Sequence, residues 1–244
     1  MAFSQTQFDT VVEEIQKGLH DMPGRIEKFI ADVNSLLGAW WMTDPVAKAI
    51  RWAAEKLREL ITKTVDKIGE ACVGIAAPVH LFVKALDWQA DIRAKATTVA
   101  GQTDSKALRA PLEWTGEAAD RYKTATWRQT GAAARVGTIA DSVGSSLTMS
   151  AGAGLAFYLA IAAIVVELGI VISAASAATA TGVGAPIGIG AGIADTLKQL
   201  ALIVTAIAGI TTFVASQATE LVSLTGEARD GKDFDGGKWP SGTA

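Results

Sequence analysis

The chain has 244 residues, of which half are hydrophobic but only 7% are aromatic, and its formal net charge is −3. The lack of a basic surplus argues against a nucleic-acid partner, and the single cysteine, Cys72, excludes a disulfide framework and a cysteine-rich zinc site. The first residues show no basic region followed by an apolar run, so we expect no Sec signal peptide.

Apolar residues recur at spacings of three and four through most of the chain, and alternation at every second residue is never sustained. This periodicity predicts an all-α protein. Two helices are expected first, over about residues 4–20 and 23–38, separated by a break at 21–24. Pro23 can begin the second of them, with Asp21 as a cap.

The third predicted helix, over about residues 45–73, is the clearest amphipathic helix in the chain. Asp44 is expected as its N-cap and Pro45 as its first helical residue. Glu residues are interleaved with Lys and Arg on its polar face. This pattern favours a helix that buries one stripe in a bundle over a basic helix that lies on a membrane. Residues 1–75 are therefore predicted to form an N-terminal amphipathic helical subdomain.

A fourth helix is predicted over about residues 78–108, and a long helical pattern starts at Glu117. The turn between them contains Trp114 and Gly116. An indole at this place is expected to cover the end of the bundle, and glycine permits a positive φ or a close approach of two helices. Residues 76–150 are therefore predicted to form a helical hairpin.

Residues 114–122 read Trp-Thr-Gly-Glu-Ala-Ala-Asp-Arg-Tyr. This run resembles the pattern W-x-G-x-A-A-x-x-[YF] of the WXG100 superfamily, which are helical-hairpin proteins exported by type VII secretion in actinobacteria and their relatives. The resemblance covers about residues 79–150 and looks closest to the longer ESX-associated substrates, which add helices and apolar segments to the hairpin. It implies close helix contact at Ala118 and Ala119, with Tyr122 on the packed face one turn further on.

Two features depart from this family pattern. Typical members are much shorter, and many secreted pairs carry a Tyr-x-x-x-Asp/Glu export element after the second helix. Here the fourth residue after Tyr122 is Thr126, and the fourth residue after Tyr158 is Ala162. The resemblance therefore implies either export that depends on a partner chain or a protein that is not exported.

The composition changes at about residue 151. Residues 151–178 carry one charge, Glu167, and residues 199–216 carry none, with a glycine-rich connector over 181–192 between them. Both segments approach the roughly 20 apolar residues that a membrane-spanning helix needs. Residues 151–224 are therefore predicted to form an apolar helical hairpin that inserts into a membrane.

Three charged residues argue against a simple membrane anchor. Glu167 falls in the middle of the first segment, where a carboxylate in lipid costs on the order of 3 kcal/mol, and Asp195 and Lys198 lie early in the second helix. We expect these side chains to face a pore or bundle axis in a homo-oligomer, where a ring of Glu167 would favour cations. The alternative is a hairpin buried inside a soluble bundle.

The polar residues 225–244 lack an apolar face and are predicted to form a disordered tail, in which Trp239 has no core to join. Four further tryptophans are expected to pack in the core or at helix ends, with a membrane-interface belt as the alternative; they are Trp40, Trp41, Trp52 and Trp88.

The residues that carry chemistry form no recognisable constellation. His20 and His80 lack companion ligands at metal-binding spacing. The glycines of 181–192 follow no predicted strand and precede no Lys-Ser/Thr pair, so they do not form a phosphate loop. No nucleophile has a base at a fitting spacing. We therefore expect no enzyme activity, no cofactor or metal and no small-molecule substrate.

Three functions remain open on these grounds. The first is a type VII secretion-associated, WXG100-like protein that oligomerises and inserts into an envelope membrane, where it forms a pore. The second is a soluble helical scaffold or secretion substrate whose apolar hairpin is masked by a partner chain. The third is a pore-forming toxin or phage lysis protein. The expected location is outside the cell by a Sec-independent route, or the membrane of the cell envelope.

Overall fold

The computed structural model describes residues 3–182, 184–229 and 233–242, apart from the side chain of Pro111. It is 87% helical, and no strand occurs among these residues, which confirms the all-α prediction. The α-helices are α1 (Gln5–Leu37), α2 (Asp44–Ala71), α3 (Ala77–Asp87), α4 (Ala94–Thr103), α5 (Ala110–Glu113), α6 (Glu117–Ala180) and α7 (Ala185–Glu227). A π-helical segment, Trp88–Arg93, joins α3 to α4.

The chain folds into two compact units. Unit 1 contains residues 3–76 and 153–211, and unit 2 contains residues 77–152 and the chain from Thr212 onward. Unit 1 is therefore built from α1, α2, the second part of α6 and the first part of α7. The helices α6 and α7 each contribute to both units, so the apolar hairpin predicted over 151–224 is divided between them.

Helix α1 runs through Pro23 without interruption, so the predicted break at 21–24 is wrong. A proline inside a helix removes one N–H donor and costs about 3 kcal/mol. Buried side chains nevertheless recur every seven residues on both sides of it, at Phe8, Ile15, Met22, Phe29 and Leu36. A break at Pro23 would turn half of this stripe away from the core, and the burial of the whole stripe offsets the lost hydrogen bond.

Helix α2 begins one residue earlier than predicted. Thr43 is the N-cap, and its carbonyl accepts the backbone N–H of Ala47 at 2.9 Å, so Asp44 is already helical. The core-facing positions alternate at spacings of four and three, a pattern that keeps one stripe against a neighbouring helix; they are Ile50, Ala54, Leu57, Ile61, Thr64 and Ile68. The prediction of an amphipathic bundle helix is confirmed.

An aromatic cluster joins α1, α2 and α6 in unit 1. The ring of Tyr158 lies 5.8 Å from that of Phe8 in an edge-on arrangement, and Phe8 lies 5.9 Å from Phe3. The Tyr158 hydroxyl donates to the carbonyl oxygen of Ala71 at 3.3 Å. This bond ties α6 to the C-terminal end of α2.

In unit 2 the predicted helix over 78–108 ends early, at Thr103. Asp104 has an extended backbone, and its carboxylate accepts the backbone N–H of Lys106 at 2.8 Å. An aspartate that binds the backbone two residues ahead favours a turn over continued helix. The helices α4 and α6 are linked here by a hydrogen bond of 3.0 Å between the hydroxyls of Thr130 and Thr103.

Part of the tail predicted to be disordered is placed on unit 2. Phe234 and Pro240 are buried, and the side-chain amide of Gln129 donates to the Pro240 carbonyl at 3.4 Å. Trp239 is 48% exposed and lies at the edge of an apolar groove that includes Ile92. The expectation that this indole has no apolar surface to join is therefore wrong. Residues 230–232, 243 and 244 lie outside the described part of the tail.

The glycine-rich connector predicted over 181–192 is much shorter in the structure. The turn is confined to the residues between α6 and α7, and helix begins at Ala185. A Cβ atom on Gly188 would lie 2.3 Å from the Cβ of Ala178, and one on Gly192 would lie 3.1 Å from Leu57. Both glycines lie within α7. Because they carry no side chain, they let the backbone of α7 approach α6 and α2 closely.

We predict that Gly188→Ala lowers the free energy of unfolding by about 1–3 kcal/mol, because the added methyl forces α6 and α7 apart. Gly190→Ala is the matched control, since no atom lies within 4 Å of its added Cβ, and it should raise stability by about 0.5–1 kcal/mol. Urea unfolding followed by far-ultraviolet circular dichroism measures both changes. The same sign for both variants would contradict the close helix approach.

Candidate functional site

Three helical stretches of the described chain are long and apolar enough to cross a membrane: Asp44–Thr103, Glu117–Ala180 and Ala185–Glu227. They differ in how much of the most apolar part is covered by protein. In Glu117–Ala180 this part is 56% buried, whereas it is 17% buried in Asp44–Thr103 and only 11% buried in Ala185–Glu227. The most apolar segment of α6 is thus a core element, and that of α7 is largely uncovered.

One narrow stripe of α7 packs into unit 1. Its members are spaced by four and three residues, and they are Ala185, Ile189, Gly192, Thr196, Gln199 and Ile203. Large apolar side chains on the rest of this segment remain exposed, which we call the outer face of α7: Ile187, Leu197, Leu202 and Val204. A helix that is apolar on all sides needs cover on all sides, and unit 1 covers only one of them.

The α6 segment of unit 1 is held by α1 through polar contacts that we call the clasp. The guanidinium of Arg25 donates to the Ser173 hydroxyl at 3.0 Å and to the Gly169 carbonyl at 3.4 Å. One turn on, the ammonium of Lys28 donates to the Ser176 hydroxyl at 3.2 Å. The clasp gives hydrogen-bond partners on α1 to the few polar groups of an otherwise apolar helix.

Asp32 completes the clasp. Its carboxylate pairs with the Lys28 ammonium at 2.7 Å and accepts a hydrogen bond from the Ser176 hydroxyl. The hydrogen bond from Lys28, followed by that from Ser176, holds the pKa of Asp32 below its ordinary value. Sequence reasoning missed the clasp. Two sequence features could have indicated it. One is the pair Ser173 and Ser176, one turn apart in an apolar helix, and the other is the set of charges at 25, 28 and 32 on one face of α1.

The three charged residues predicted to face a pore or bundle axis are all exposed on the surface of unit 1. Glu167 lies on α6, and Asp195 and Lys198 lie on α7. Val166 and Ile170, which flank Glu167 on α6, are both 56% exposed. Within one chain the carboxylate of Glu167 thus sits among uncovered apolar groups. An axis lined by these residues requires further copies of the chain and stays a prediction.

The Trp114–Gly116 turn of unit 2 differs in part from expectation. Gly116 has φ +97°, a conformation that glycine adopts freely, and its carbonyl accepts the first backbone bond of α6, from Asp120 at 3.2 Å. The indole of Trp114 lies 5.8 Å from the ring of Tyr122 but is 54% exposed, so it does not cover the bundle end as a buried plug. Trp114 lies at the end of the one-turn helix α5, and part of its indole ring stays in solvent.

The two alanines expected to permit close helix contact behave differently. Ala119 is 1% exposed, whereas Ala118 is exposed. Adjacent residues of a helix point about 100° apart, so only one of them can face a given neighbour. Tyr122 is half-buried beside Trp114. The motif therefore contributes one packed alanine and one aromatic pair to unit 2.

The side chains that could bind a metal ion lie apart in the structure. No group of three or more His, Cys, Asp or Glu side chains is arranged to hold a metal ion in the part of the chain that the structure describes. His20 and His80 are exposed, and Cys72 is half-buried. The distinctive feature of the structure is therefore the apolar helical hairpin. Its α6 segment is bound by the clasp, and the outer face of α7 is uncovered.

Comparison with protein-family models, with curated protein sequences and with solved structures finds no match to this chain.

We predict that Asp32→Asn lowers the free energy of unfolding at pH 7 by about 0.5–1 kcal/mol, the range of a partly exposed ion pair. Because the pKa of Asp32 is lowered in the folded protein, its contribution is present above the ordinary value near 3.9 and is lost as the pH falls through the folded value. The difference between wild type and variant should therefore shrink on acidification below about pH 4. Urea titrations at several pH values measure it.

Asp9→Asn is the control for this experiment, because Asp9 lies exposed on the same helix. It should leave the free energy of unfolding unchanged at each pH. A difference between wild type and Asp32→Asn that persists unchanged from pH 7 to pH 2 would mean that the carboxylate charge is not what secures α6.

Proposed function

We propose that this protein assembles into oligomers and inserts its apolar hairpin into a membrane of the cell envelope. The observation that carries the proposal is the uncovered outer face of α7. A soluble monomer rarely exposes a contiguous apolar patch larger than a few hundred Å², and patches above that size mark sites of protein or membrane interaction. The most apolar part of α7 is only 11% buried although its composition suits a membrane-spanning helix.

The distribution of charge supports lipid as the environment of the hairpin. Residues 142–166, 168–194 and 199–219 contain no Asp, Glu, Lys or Arg. Each run is comparable to the roughly 20 residues that cross the hydrocarbon core. The polar side chains within them include many Ser and Thr hydroxyls that bind the carbonyl four residues back, as those of Thr148 and Thr205 do. Such hydroxyls need no partner outside their own helix.

The exposed face of α6 suits contact between copies of the chain. Exposed alanines lie on this face on both sides of Glu167, with an interval of eleven residues between the two groups; they are Ala156, Ala160 and Ala163 before it, and Ala174 and Ala177 after it. Side chains this small let two helices approach closely in a membrane. Packing of this face around an axis would remove Glu167 from lipid, where it costs on the order of 3 kcal/mol, and would place a ring of carboxylates along a cation-selective path.

The resemblance of residues 114–122 to the WXG100 pattern suggests the route by which the protein reaches this membrane. We propose export by type VII secretion, with a partner chain that supplies the export element missing after Tyr122. The turn itself follows only the one-turn helix α5, but α4 and α6 are linked by Thr103 and Thr130 as a helical hairpin would be. The membrane-inserting step does not depend on the route, because it rests on the hairpin alone.

The proposal is tested by expression without detergent, high-speed centrifugation and cryo-electron microscopy of the fraction that holds the protein. We expect recovery in membranes and a closed assembly with residues 151–216 inside the detergent belt. A monodisperse soluble particle in which these residues pack against protein would contradict the proposal. That outcome would favour a soluble scaffold whose outer face of α7 is covered by a partner chain.

We further predict that Glu167→Leu strengthens the association of the monomer with phosphatidylcholine vesicles and weakens the cation selectivity of any conductance. The first effect follows from the cost of about 3 kcal/mol for an intramembrane carboxylate, and the second from loss of the proposed ring. Glu13→Leu, at an exposed position of α1, adds the same side chain outside the hairpin and should do neither. Vesicle flotation and planar-bilayer reversal potentials measure the two effects.

A further inference from the structure

Two helix turns of unit 1 lie side by side. The first joins α1 to α2 and consists of residues 38–43, and the second joins α6 to α7 and is described at Thr181, Gly182 and Gly184. A Cβ atom on Gly182 would lie 3.1 Å from the indole of Trp41 and 3.6 Å from Leu36. The indole can rest on the second turn because position 182 has no side chain and has φ +73°. We call these two turns, with Ala185–Ile187, the tip.

The tip exposes large apolar and aromatic side chains. Trp40 is 96% exposed, Trp41 is 49% exposed and Ile187 is 79% exposed. The expectation that the four tryptophans pack in the core or at helix ends is thus wrong for Trp40, and it is also wrong for Trp52 of α2, which is 65% exposed. An indole combines a large apolar body with one N–H donor, and it is enriched where one end of a side chain meets hydrocarbon and the other meets water.

The tip also lacks charge. Residues 33–43 and 168–194 contain no Asp, Glu, Lys or Arg. The nearest charge is Asp44, at the start of α2, while Asp32 and Asp195 lie about 9 Å and 15 Å back along α1 and α7 at 1.5 Å per residue. A surface of this kind loses little hydration energy when it enters an interface, but the acidic residues that border it on α1, α2 and α7 limit the depth of entry.

We propose that unit 1 binds the surface of a lipid bilayer through this tip, with Trp40 and Trp41 at the level of the headgroups and the α6–α7 turn entering first. This inference rests on the proposed function, and it identifies the surface of unit 1 that contacts the membrane first. The midpoint of the uncharged run 168–194 falls at residue 181, in the turn. Entry by the turn therefore brings the longest charge-free part of the hairpin to the membrane before Glu167 or Asp195.

The tip contains no Lys or Arg, and this determines which lipid headgroups it needs for binding. Binding should occur on zwitterionic phosphatidylcholine vesicles and should not require anionic lipid. It should also persist in 1 M salt, where the Debye length is about 3 Å and attraction between exposed charges is screened. A basic patch would show the opposite dependence on both variables.

The experiment is flotation of the full-length protein with phosphatidylcholine vesicles, compared among wild type, Trp40→Ala, the double variant Trp40→Ala/Trp41→Ala and Trp127→Ala. Trp127 is 74% exposed on α6 and belongs to unit 2, so its variant removes an exposed indole that is not part of the tip. We expect the double variant to partition roughly tenfold more weakly than wild type, because two indoles no longer bury their area in the interface. Trp127→Ala should partition as wild type does.

Trp40→Ala guards against unfolding as the cause, because a side chain that is 96% exposed contributes almost no packing. It should weaken binding by roughly threefold or more with an unchanged circular dichroism spectrum. Vesicles containing lipid brominated near the headgroups should quench wild-type and Trp127→Ala fluorescence, and should quench the double variant much less.

The outcomes separate this inference from the function on which it rests. If the tip variants bind as wild type does while 151–216 becomes protected from protease on vesicles, the tip is not the docking surface although the hairpin inserts. If wild type neither floats nor gains protection, both proposals fail. If binding requires anionic lipid or is lost in 1 M salt, charge rather than the tip governs docking, and the inference is overturned.

Discussion

The burial of α6 is the constraint on which unit 1 depends. Leu155, Ile161, Leu168 and Ile172 are its largest fully buried side chains from α6, and Phe29 of α1 and Ile61 of α2 pack in the same core. The helix that is best suited to a membrane is therefore also the helix that organises the core of unit 1. Unit 1 cannot keep its core and release α6 into lipid, so the folded unit and an inserted hairpin exclude each other.

The contacts that secure α6 are uneven in strength. Apolar packing against α1 and α2 is non-directional and scales with the area covered, whereas the clasp depends on the geometry of a few side chains. On α7 the covered stripe is narrow, and one of its close approaches to α6 is at Gly188, beside the turn. The most apolar part of α6 is thus covered more completely than that of α7.

The helical periodicity of the sequence predicted the class of fold because one buried stripe per helix leaves a visible pattern, as in α2. The same pattern concealed two features. Pro23 reads as a helix start, but the stripe at Met22 and Phe29 continues across it. The glycines after Gly184 read as a loop, but Gly188 and Gly192 serve close packing between helices. Local residue preferences mislead where tertiary contacts decide, and those contacts are not visible in one sequence.

The candidate site could be predicted only in part for a similar reason. The apolar hairpin follows from composition, and the exposure of Glu167 is compatible with the axis expected for it. The clasp and the contact of Trp41 with Gly182 join residues more than 100 positions apart. No spacing rule connects them, because the pairing is set by how the helices stack. The Trp114 indole was expected to be buried for its size, but a short helix end gives it only Tyr122 to rest on.

The assembly proposed through the outer face of α7 would make the state of the protein depend on its own concentration. Every copy carries the same apolar surface, so two chains can cover each other, and mass action stabilises whatever state pairs them. A face that pairs with the same face of a second copy forms a contact about a two-fold axis, whereas a face that pairs with a different surface of the next copy propagates into a ring or a filament. Chains that are dilute in solution become concentrated when they bind a two-dimensional surface. They would then pass from the unpaired to the paired state without any chemical signal.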